Sequence, residues 1–480
     1  MVRFSKRACL LLAIILMVST LSPVAFAAQT ENSDWHVYEL NYSGKYPQSL
    51  QTRGNRIAIT GLPADPDCSF IWLMVLDGRG TKKHDEIKAR SDESSVQFTI
   101  PSTVSGTYEL GVYCSSERYA TYHELLSIEQ VEFRSGTVIV PASPALDLNL
   151  SFTSQYVPSE NALEYYLQPS KGIQSDAEEI IRTAAQITSG ISDTYAKTLA
   201  IHDWVCDSIY YDFDVYYGRA QKGDSSALNT LKTGRSVCEG YANLTVALLR
   251  ASGIPARKVS GYALGMSGGN TFPSDVLAGT GDSNHAWNEA FVDGRWVIMD
   301  TTWDSDNDYE YGKVTSSGGC YRHRYFDISQ WLLAQNHATV HANVYKEMYL
   351  YIGYPEYYTD EGWKPLTSDG AVPLVVDGRT LIPIRPVIEE MGGAVEWTPA
   401  TERYLPRVVC KTYGYYAQMW PTWSQLYVNG EELIFDVPPQ VINGRTMIPL
   451  RVLLEAMGCV VKWDDRADGW NGRITIGYVA

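Results

Sequence analysis

A segment of alternating residues, centred on a two-residue turn, constrains the fold of this chain more than any other feature. Residues 285–300 alternate on both sides of Asp293-Gly294, and an Asp-Gly pair between alternating segments is the strongest short-range signal for a β-hairpin. With that loop, the register places His285 and Asp300 on one sheet face as diagonal neighbours. Diagonal Cβ atoms lie roughly 7–8 Å apart, so the sequence predicts an imidazole–carboxylate hydrogen bond.

An upstream cysteine supplies the group on which such a pair acts. Residues 234–255 predict a loop, then a helix that is apolar around most of its circumference, then a stop at Gly253. Cys238 falls in the first turn of this helix, where unpaired N–H groups and the helix dipole favour a thiolate. A thiolate attacking a carbonyl, with His285 returning a proton to the leaving amine and Asp300 orienting the ring, is acyl-transfer chemistry. For Cys238 taken alone, a buried structural cysteine is the alternative.

Several short blocks around these positions match a known family in the same order. They read Val-Cys-Glu-Gly-Tyr-Ala at 237–242, Gly-Ile-Pro-Ala-Arg at 253–257, His-Ala-Trp-Asn at 285–288, and Gly-Arg-Trp…Asp-Thr-Thr-Trp-Asp at 294–304. These blocks resemble the bacterial transglutaminase-like family over roughly residues 160–345. The resemblance implies a papain-like fold with a Cys-His-Asp triad, in which Cys238 is the nucleophile, His285 the base and Asp300 the orienting acid.

The first 27 residues predict an export signal. Basic residues precede an apolar stretch at 8–18, and Ala25-Phe-Ala27 fits a cleavage site. We interpret residues 1–27 as the signal peptide of a secreted or cell-surface bacterial protein, with a retained membrane anchor as the alternative. No other stretch of the sequence is long enough to cross a bilayer, so we do not expect an integral membrane protein.

Charge and cysteine content restrict the partners. The chain has 39 basic and 55 acidic residues, a balance that argues against nucleic acid or an anionic surface as the main partner. Of its eight cysteines, Cys9 lies in the signal segment. An odd number then remains in the exported chain, which leaves at least one thiol unpaired or paired between molecules; an unpaired Cys238 is consistent with this.

Residues 28–150 and 366–480 predict two accessory domains. The first has short β segments separated by turn residues, which is typical of an immunoglobulin-like sandwich. The second contains an internal repeat, since residues 376–397 match 442–463, and each copy reads as a turn, a strand, a helix ended by glycine, and a strand. A linker is predicted at 346–365.

The repeat resembles the copper amine oxidase N-terminal-like domain. The last histidine of the chain is His341, and copper sites rely on His or Cys ligands, so we predict no copper in this domain. The resemblance instead suggests attachment to the cell envelope or to a partner, with a purely structural C-terminal cap as the alternative.

Two other patterns of potential ligands allow a metal interpretation. His202 and Cys206 are four residues apart on a predicted helix and share a face; a metal or redox site is the alternative, and a structural helix packed beside the Cys238 helix is the favoured interpretation, in agreement with the family resemblance. Residues 304–308 have the alternating acids of a calcium loop, but Tyr309 and Thr315 stand where an EF-hand needs Gly and Glu. We therefore expect no metal and no cofactor.

The features together predict a multidomain chain. A papain-like, transglutaminase-like α+β core at 155–345 is flanked by an all-β N-terminal sandwich and an α+β C-terminal repeat domain. We expect cysteine-dependent acyl transfer on amide bonds through a thioester, with hydrolysis of a protein or peptide substrate favoured over transglutaminase cross-linking. A catalytically silent cell-surface binding or scaffold protein is the alternative from another class.

Overall fold

The computed structural model describes residues 35–41, 48–62, 68–90, 95–118, 122–153, 157–265, 271–316, 323–412, 414–465 and 472–479. The predicted signal peptide and Cys320 lie outside these residues. No helix among them is long and apolar enough to cross a membrane. The chain forms two units, one of Met1–Ser143 with Ser329–Gln335, the other of Pro144–Ile328 with Asn336–Ala480.

Antiparallel strands dominate the described part of the first unit. They are His36–Asn41 (β1), Gln48–Arg53 (β2), Arg56–Thr60 (β3), Phe70–Leu76 (β4), Lys82–Ala89 (β5), Ser95–Thr99 (β6), Gly106–Ser115 (β7), His123–Arg134 (β8) and Thr137–Ile139 (β9). One sheet has the order β1-β2-β3-β6 and the other β5-β4-β7-β8-β9. Residues of β6 alternate between exposed and buried, with Val96 and Phe98 buried, as expected for a sheet with one solvated face. The immunoglobulin-like arrangement stays a prediction.

The first half of the second unit, up to His341, combines helices with two small sheets. The helices are Leu146–Thr153 (α1), Glu160–Tyr165 (α2), Glu178–Ile187 (α3), Thr194–Ser208 (α4), Phe213–Tyr216 (α5), Ala227–Thr233 (α6), Cys238–Ala251 (α7) and Ser274–Leu277 (α8). The strands are Tyr210–Asp212 (β10), Arg235–Ser236 (β11), Ala256–Ala263 (β12), His285–Val292 (β13), Arg295–Met299 (β14), Asn307–Glu310 (β15), Lys313–Ser316 (β16) and His337–His341 (β17). The sheet orders are β11-β10-β15-β16 and β14-β13-β12-β17. The short helix Gln330–Leu333 belongs to the first unit.

Helix α7 lies at the centre of this half. Every residue from 240 to 250 is buried, and α3, α4, α6, β12 and β13 pack around the helix. This burial explains why its sequence is apolar on most sides. The segment before the helix lies close against the first helical turn, because a Cβ on Gly240 would lie only 2.1 Å from Ser236 Oγ. Gly253 ends the helix region with a φ of 77°, as its sequence predicts.

The β13–β14 hairpin has the predicted register. Val292 pairs with Arg295 across the turn, and the ladder continues as far as Asn288 opposite Met299. Asp293 and Gly294 have φ values of 51° and 81°, and positive φ at both central residues is the requirement of a type I′ turn. The turn therefore fixes which residues of the two strands share a face.

A buried ion pair joins β12 to β13. Arg257 Nε donates to Glu289 Oε2 at 2.8 Å, and Arg257 Nη2 lies 2.6 Å from the same oxygen. The guanidinium also lies over the Trp296 ring, 4.2 Å from its centroid. Both charged side chains are almost fully buried, so each depends on the other for compensation.

We expect Glu289→Gln to lower the free energy of unfolding by about 3–5 kcal/mol, because the substitution leaves an uncompensated buried cation. Chemical denaturation measures the change. Glu310→Gln is the matched control, since Glu310 pairs with Arg219 near the surface at 2.7 Å, where such a pair is worth about 0–1 kcal/mol. Equal losses in the two variants would contradict a stabilising role for the buried pair.

The second half of this unit, residues 345–479, contains three sheets and two helices in its described residues. The strands are Tyr345–Tyr351 (β18), Glu356–Thr359 (β19), Gly362–Pro365 (β20), Leu374–Val376 (β21), Arg379–Pro383 (β22), Ala394–Thr398 (β23), Arg407–Thr412 (β24), Tyr415–Met419 (β25), Gln425–Val428 (β26), Glu431–Ile434 (β27), Gln440–Ile442 (β28), Arg445–Pro449 (β29), Val460–Asp464 (β30) and Arg473–Val479 (β31). The helices are Ile384–Glu390 (α9) and Leu450–Ala456 (α10). Each copy of the internal repeat contains a strand pair, a helix and a further strand. The two copies meet where Ile382 of β22 pairs with Ile448 of β29.

The structure corrects the predicted linker at 346–365. This stretch forms β18, β19 and β20, and β18 pairs along its whole length with β31, for example Met348 with Ile476. Met348 and Leu350 are fully buried in the core of the C-terminal half. The local composition, rich in Tyr, Pro and Gly, is typical of a loop, but pairing with a strand more than 120 residues away overrides it.

Candidate active site

Cys238 occupies the N-terminal end of α7. It follows Val237, whose backbone is extended, and its side chain is partly exposed whereas those of Cys206, Cys410 and Cys459 are buried. The first N–H groups of a helix have no acceptor within it and carry the positive end of the helix dipole. The thiol predicted to be the nucleophile is therefore reachable from solvent and lies at an electropositive helix end.

The predicted His–Asp pair is present on the hairpin. His285 Nε2 lies 2.6 Å from Asp300 Oδ2, and both side chains are almost fully buried. Asp300 Oδ1 accepts the backbone N–H groups of Thr302 at 2.9 Å and Trp303 at 3.2 Å. These bonds fix the carboxylate, which in turn fixes the orientation of the imidazole.

The charge state of the pair follows from its burial and contacts. Burial alone lowers the pKa of His285, but the charge and hydrogen bond of Asp300, together with the nearby Cys238 thiol, raise it to about 10. Burial acts to raise the pKa of Asp300, and the contact with His285 holds that pKa well below its usual range. The pair is thus an imidazolium–carboxylate at neutral pH. His285 Nδ1 is buried without a hydrogen-bond partner among the described residues, which leaves this atom to exchange a proton with Cys238.

A second histidine, which our sequence analysis missed, completes the environment of Asp300. His337 Nε2 lies 3.3 Å from Asp300 Oδ2, and its Nδ1 lies 2.6 Å from Asn336 Oδ1. Burial lowers the pKa of His337 to about 4, so this ring is neutral and presents no competing charge. Nothing in the local sequence marks it, because β17 reaches the site only through its pairing with β12.

We expect His337→Gln to lower kcat about tenfold to a hundredfold with KM unchanged, because residues that orient a catalytic group have effects of that order. His337 is a positioning residue, and the separation of kcat from KM in steady-state kinetics tests that role. His341→Gln, on the same strand, is the control. A rise in KM alone would show instead that His337 contributes to substrate binding.

Comparison with known protein families identifies this domain. Residues 181–301 match the model of the transglutaminase-like superfamily core. This stretch is a transglutaminase-like core. It holds Cys238, His285 and Asp300 in the arrangement described above. Residues 364–468 match the copper amine oxidase N-terminal domain, so both resemblances seen in the sequence are confirmed.

Similar proteins match only part of this chain. The Kyphoscoliosis peptidase of Mus musculus is 31% identical over 146 residues, which cover 27% of this chain and 20% of the mouse protein. The Kyphoscoliosis peptidase of Homo sapiens is 34% identical over 114 residues, covering 23% of this chain and 16% of the human protein. The chain thus spans about a fifth of the length of these curated relatives. A crystal structure of a candidate cysteine protease from Cytophaga hutchinsonii covers 52% of this chain and 74% of that chain at 21% identity, with a TM-score of 0.24.

One hydrogen bond and one tightly packed glycine position the elements of the transglutaminase-like core around the triad. Asn288 Nδ2 donates to the Ala242 carbonyl at 2.9 Å and so ties the hairpin to α7. Gly261 stands opposite His285 on β12, where an added Cβ would lie 2.3 Å from Ala338 O and 2.4 Å from Trp287. A side chain at position 261 would therefore displace β17 or the Trp287 side chain.

A cleft runs beside the start of α7 within the second unit. Glu239, next to Cys238, lies 2.8 Å from Lys222 Nζ and 3.7 Å from Lys258 Nζ, so its charge is compensated. These residues border a cavity of about 750 Å³ that extends to Tyr415 of the C-terminal half. Its size is within the range of ligand-binding clefts.

The candidate calcium loop at 304–308 has another structure. Asp304 is buried, and its two carboxylate oxygens accept the Tyr325 N–H at 3.0 Å while Oδ2 also contacts His202. Asn307 and Asp308 belong to β15, where Asp308 pairs with Thr315. Because these acids do not converge, the stretch does not form an EF-hand loop.

The domain named for copper amine oxidase does not fit a copper site. The sequence from 366 to 480 contains no histidine, and burial raises the pKa of both Cys410 and Cys459 to about 12. Among the described residues of that domain, no three His, Cys, Asp or Glu side chains converge as metal ligands. Copper sites rely on imidazole and thiolate ligands, so these residues support no copper chemistry.

Proposed function

We propose that this chain is an exported, cysteine-dependent enzyme that acts on amide bonds through a thioester intermediate, and that its reaction is peptide hydrolysis. The observation that carries this proposal is the buried 2.6 Å contact between His285 and Asp300, with the unpaired Nδ1 of His285 left to serve Cys238. Without a nucleophile in reach, a buried imidazolium–carboxylate pair would be only a structural contact.

The acylation step uses the charge state of this pair. The Cys238 thiolate attacks the carbonyl carbon of the substrate amide, and the N–H groups at the start of α7 stabilise the oxyanion that forms. The C–N bond then breaks as His285 Nδ1 gives its proton to the departing amine. The products of this step are a free amine, a Cys238 thioester and a neutral imidazole still bonded to Asp300.

Deacylation restores the enzyme. His285 Nδ1 takes a proton from a water molecule as its oxygen attacks the thioester carbonyl. The C–S bond breaks, the acid product leaves, and the thiolate–imidazolium pair is regenerated. A lysine amine in place of water would give a cross-linked amide by the same steps, so acceptor access decides between hydrolysis and transglutaminase chemistry.

Two observations favour hydrolysis. Two curated relatives that match part of this chain, from mouse and human, carry the name peptidase. The Cys238 thiol is itself partly exposed, and the cleft beside α7 is partly lined by charged side chains such as Lys222, Asp224 and Lys258, so water has access to the region of the proposed thioester. Cross-linking requires that water be excluded in favour of an amine.

The deciding experiment incubates the full chain with a mixed peptide library and a labelled primary amine, beside a Cys238→Ala control, followed by mass spectrometry. We expect cleaved peptides that are absent from the control. Amine-labelled glutamines without cleavage would overturn hydrolysis in favour of cross-linking. If wild type and control gave identical spectra, the silent binding or scaffold protein would become the better interpretation.

Export and surface attachment complete the proposal. Residues 1–27 would direct secretion, and residues 366–480 would attach the enzyme to the cell envelope or to a partner. Exposed aromatic side chains in that domain, including Trp397, Trp423 and Trp463, are suited to binding polymers. We expect the protein recovered from a bacterial envelope fraction to begin at residue 28, as measured by N-terminal peptide mapping; an intact Met1 would contradict export by cleavage.

A further inference from the structure

We propose that the transglutaminase-like core contains a binding site for a zinc-type divalent metal ion, formed by His202, Asp203 and His323. The first two residues belong to α4, and His323, which follows β16, lies 120 residues after Asp203 in the sequence. The site is separate from the Cys238–His285–Asp300 triad and does not depend on the proposed reaction.

The three side chains converge as metal ligands do. Asp203 Oδ1 lies 3.0 Å from His202 Nδ1 and 2.8 Å from His323 Nε2, and one ligand atom from each residue lies within 4.8 Å of the other two. Donors around a tetrahedral zinc ion, at bond lengths of 2.0–2.2 Å, are about 3.3 Å apart. A small outward shift of the donor atoms would accommodate the ion. Two imidazoles and a carboxylate are also a donor set that zinc prefers.

A second layer of contacts orients the buried ligand. His202 Nε2 lies 3.0 Å from Asp304 Oδ2, and both side chains are fully buried. Asp304 is itself fixed by the backbone N–H of Tyr325 at 3.0 Å. A histidine that donates one ring N–H to a carboxylate while the other nitrogen faces outward is the usual arrangement of metal-bound imidazoles. Here the nitrogen that faces Asp203 and His323 is Nδ1.

Cys206 is not part of the ligand set. Its Sγ lies 3.7 Å from His202 Nε2 and 3.4 Å from the Thr301 carbonyl, on the side of the ring opposite to Nδ1. The spacing of His202 and Cys206 therefore indicates the helix that carries the proposed site. The metal, however, would bind His202 together with Asp203 rather than with Cys206.

Solvent can reach the site. The side chains of Asp203 and His323 are 36% and 41% exposed, whereas that of His202 is buried. An ion could thus bind without unfolding of the core, and a water molecule could take the fourth position. Since Asp304 N donates to the Asp300 carbonyl at 3.1 Å, a bound ion would also hold the turn that carries the catalytic carboxylate.

The test uses the full chain, stripped with a chelator, and zinc ions added alone. Titration calorimetry on wild type should give one zinc per chain, and a thermal melt should show a higher Tm with zinc. His323→Ala and Asp203→Asn should each weaken zinc binding at least about tenfold and remove the shift in Tm. His36→Ala, at an exposed histidine in the other unit, is the matched control and should bind zinc as wild type does.

Two results would overturn the proposal. One is zinc binding that persists unchanged in both ligand variants. The other is binding that is lost in Cys238→Ala, which would assign the ion to the catalytic residues. Cobalt substitution distinguishes the sites independently, because nitrogen and oxygen ligation gives no sulfur-to-metal charge-transfer band whereas a Cys238 site would. His323 is exposed, so folding of its variant is expected and is checked by circular dichroism.

Discussion

Replacement of Cys238 by alanine is expected to lower kcat about 10⁶-fold, since removal of the nucleophile from a triad has an effect of that order. The thiol is partly exposed at the start of α7. No other described cysteine shares its access, since all the others are buried, namely Cys68, Cys114, Cys206, Cys410 and Cys459. Stability should change little, because truncating a partly exposed side chain leaves no large cavity. Single-turnover kinetics on a cleaved peptide measures the rate, and a thermal melt measures the stability.

Cys410→Ala is the matched control. Its thiol is buried in the C-terminal core, and burial raises its pKa to about 12, so activity should remain at the wild-type level. The contrast in exposure predicts selective alkylation, in which iodoacetamide should modify Cys238 and leave the buried Cys410 intact; peptide mapping detects both. Activity above about one per cent in Cys238→Ala would place the nucleophile elsewhere, given the expected 10⁶-fold loss.

The site residues that could be predicted from the sequence are those fixed by local rules. His285 and Asp300 face each other because one turn sets the register of a single hairpin, and the decisive signal lies within 16 residues. The loop residues Gly234 and Ser236 indicate where α7 begins and Gly253 indicates where it ends, so the local sequence predicts that Cys238 lies at the helix start. The alternation of residues in a hairpin and the residues that begin and end a helix depend on only one or two elements. They can therefore be predicted without knowledge of the tertiary fold.

The missed features all depend on contacts between distant elements. His337 reaches Asp300 only because β17 pairs with β12, across more than 70 residues. The Asp203–His323 contact spans 120 residues, and β18, which we assigned to a linker, exists as a strand through pairing with β31. Strand propensity describes how a side chain packs in a half-buried sheet rather than which strand lies beside it. The sequence can therefore indicate a strand but not its partner.

Local and distant contacts together explain how the core holds a charged pair inside. The carboxylate of Asp300 would be strongly destabilised by burial, yet it receives two backbone N–H groups and faces His285 and the neutral His337. A second buried carboxylate, Asp304, follows four residues later and is bonded to His202. The turn after β14 thus carries two His–Asp contacts, one in the proposed catalytic triad and one at the proposed metal site.

Asp300→Asn should lower kcat about 10⁴-fold, because a neutral amide at this position selects the wrong imidazole tautomer. The backbone N–H groups of Thr302 and Trp303 would retain the Asn oxygen, as they now bond Asp300 Oδ1, so the amide NH₂ would face His285 Nε2. That nitrogen would then have to accept, and the ring proton would move to Nδ1. An Nδ1 that already holds a proton cannot take one from Cys238 or from water.

The pH dependence should change as well. In wild type, Asp300 raises the pKa of His285 to about 10, so the imidazolium persists and activity declines only as the pH approaches that value. Without the carboxylate charge, burial lowers the pKa of His285 with only the Cys238 contact opposing it, so the pKa falls well below its wild-type value. The descending limb of the pH–kcat profile should move several pH units lower. The raised pKa of His285 also stabilises the folded state. In wild type this contribution to the free energy of unfolding is fully present below about pH 6.5 and is lost as the pH rises through about 10. The Asp300→Asn variant should lack this contribution.

Asp293→Asn provides the control within the same hairpin. Asp293 lies in the turn with a φ of 51°, a conformation that asparagine tolerates well, so the same chemical change there should leave both kcat and the pH profile as in wild type. Steady-state rates between pH 5 and 10 for the three proteins decide the matter. A descending limb that stays in place in Asp300→Asn would mean that the charge of Asp300 does not set the protonation of His285, and that the triad acts through orientation alone.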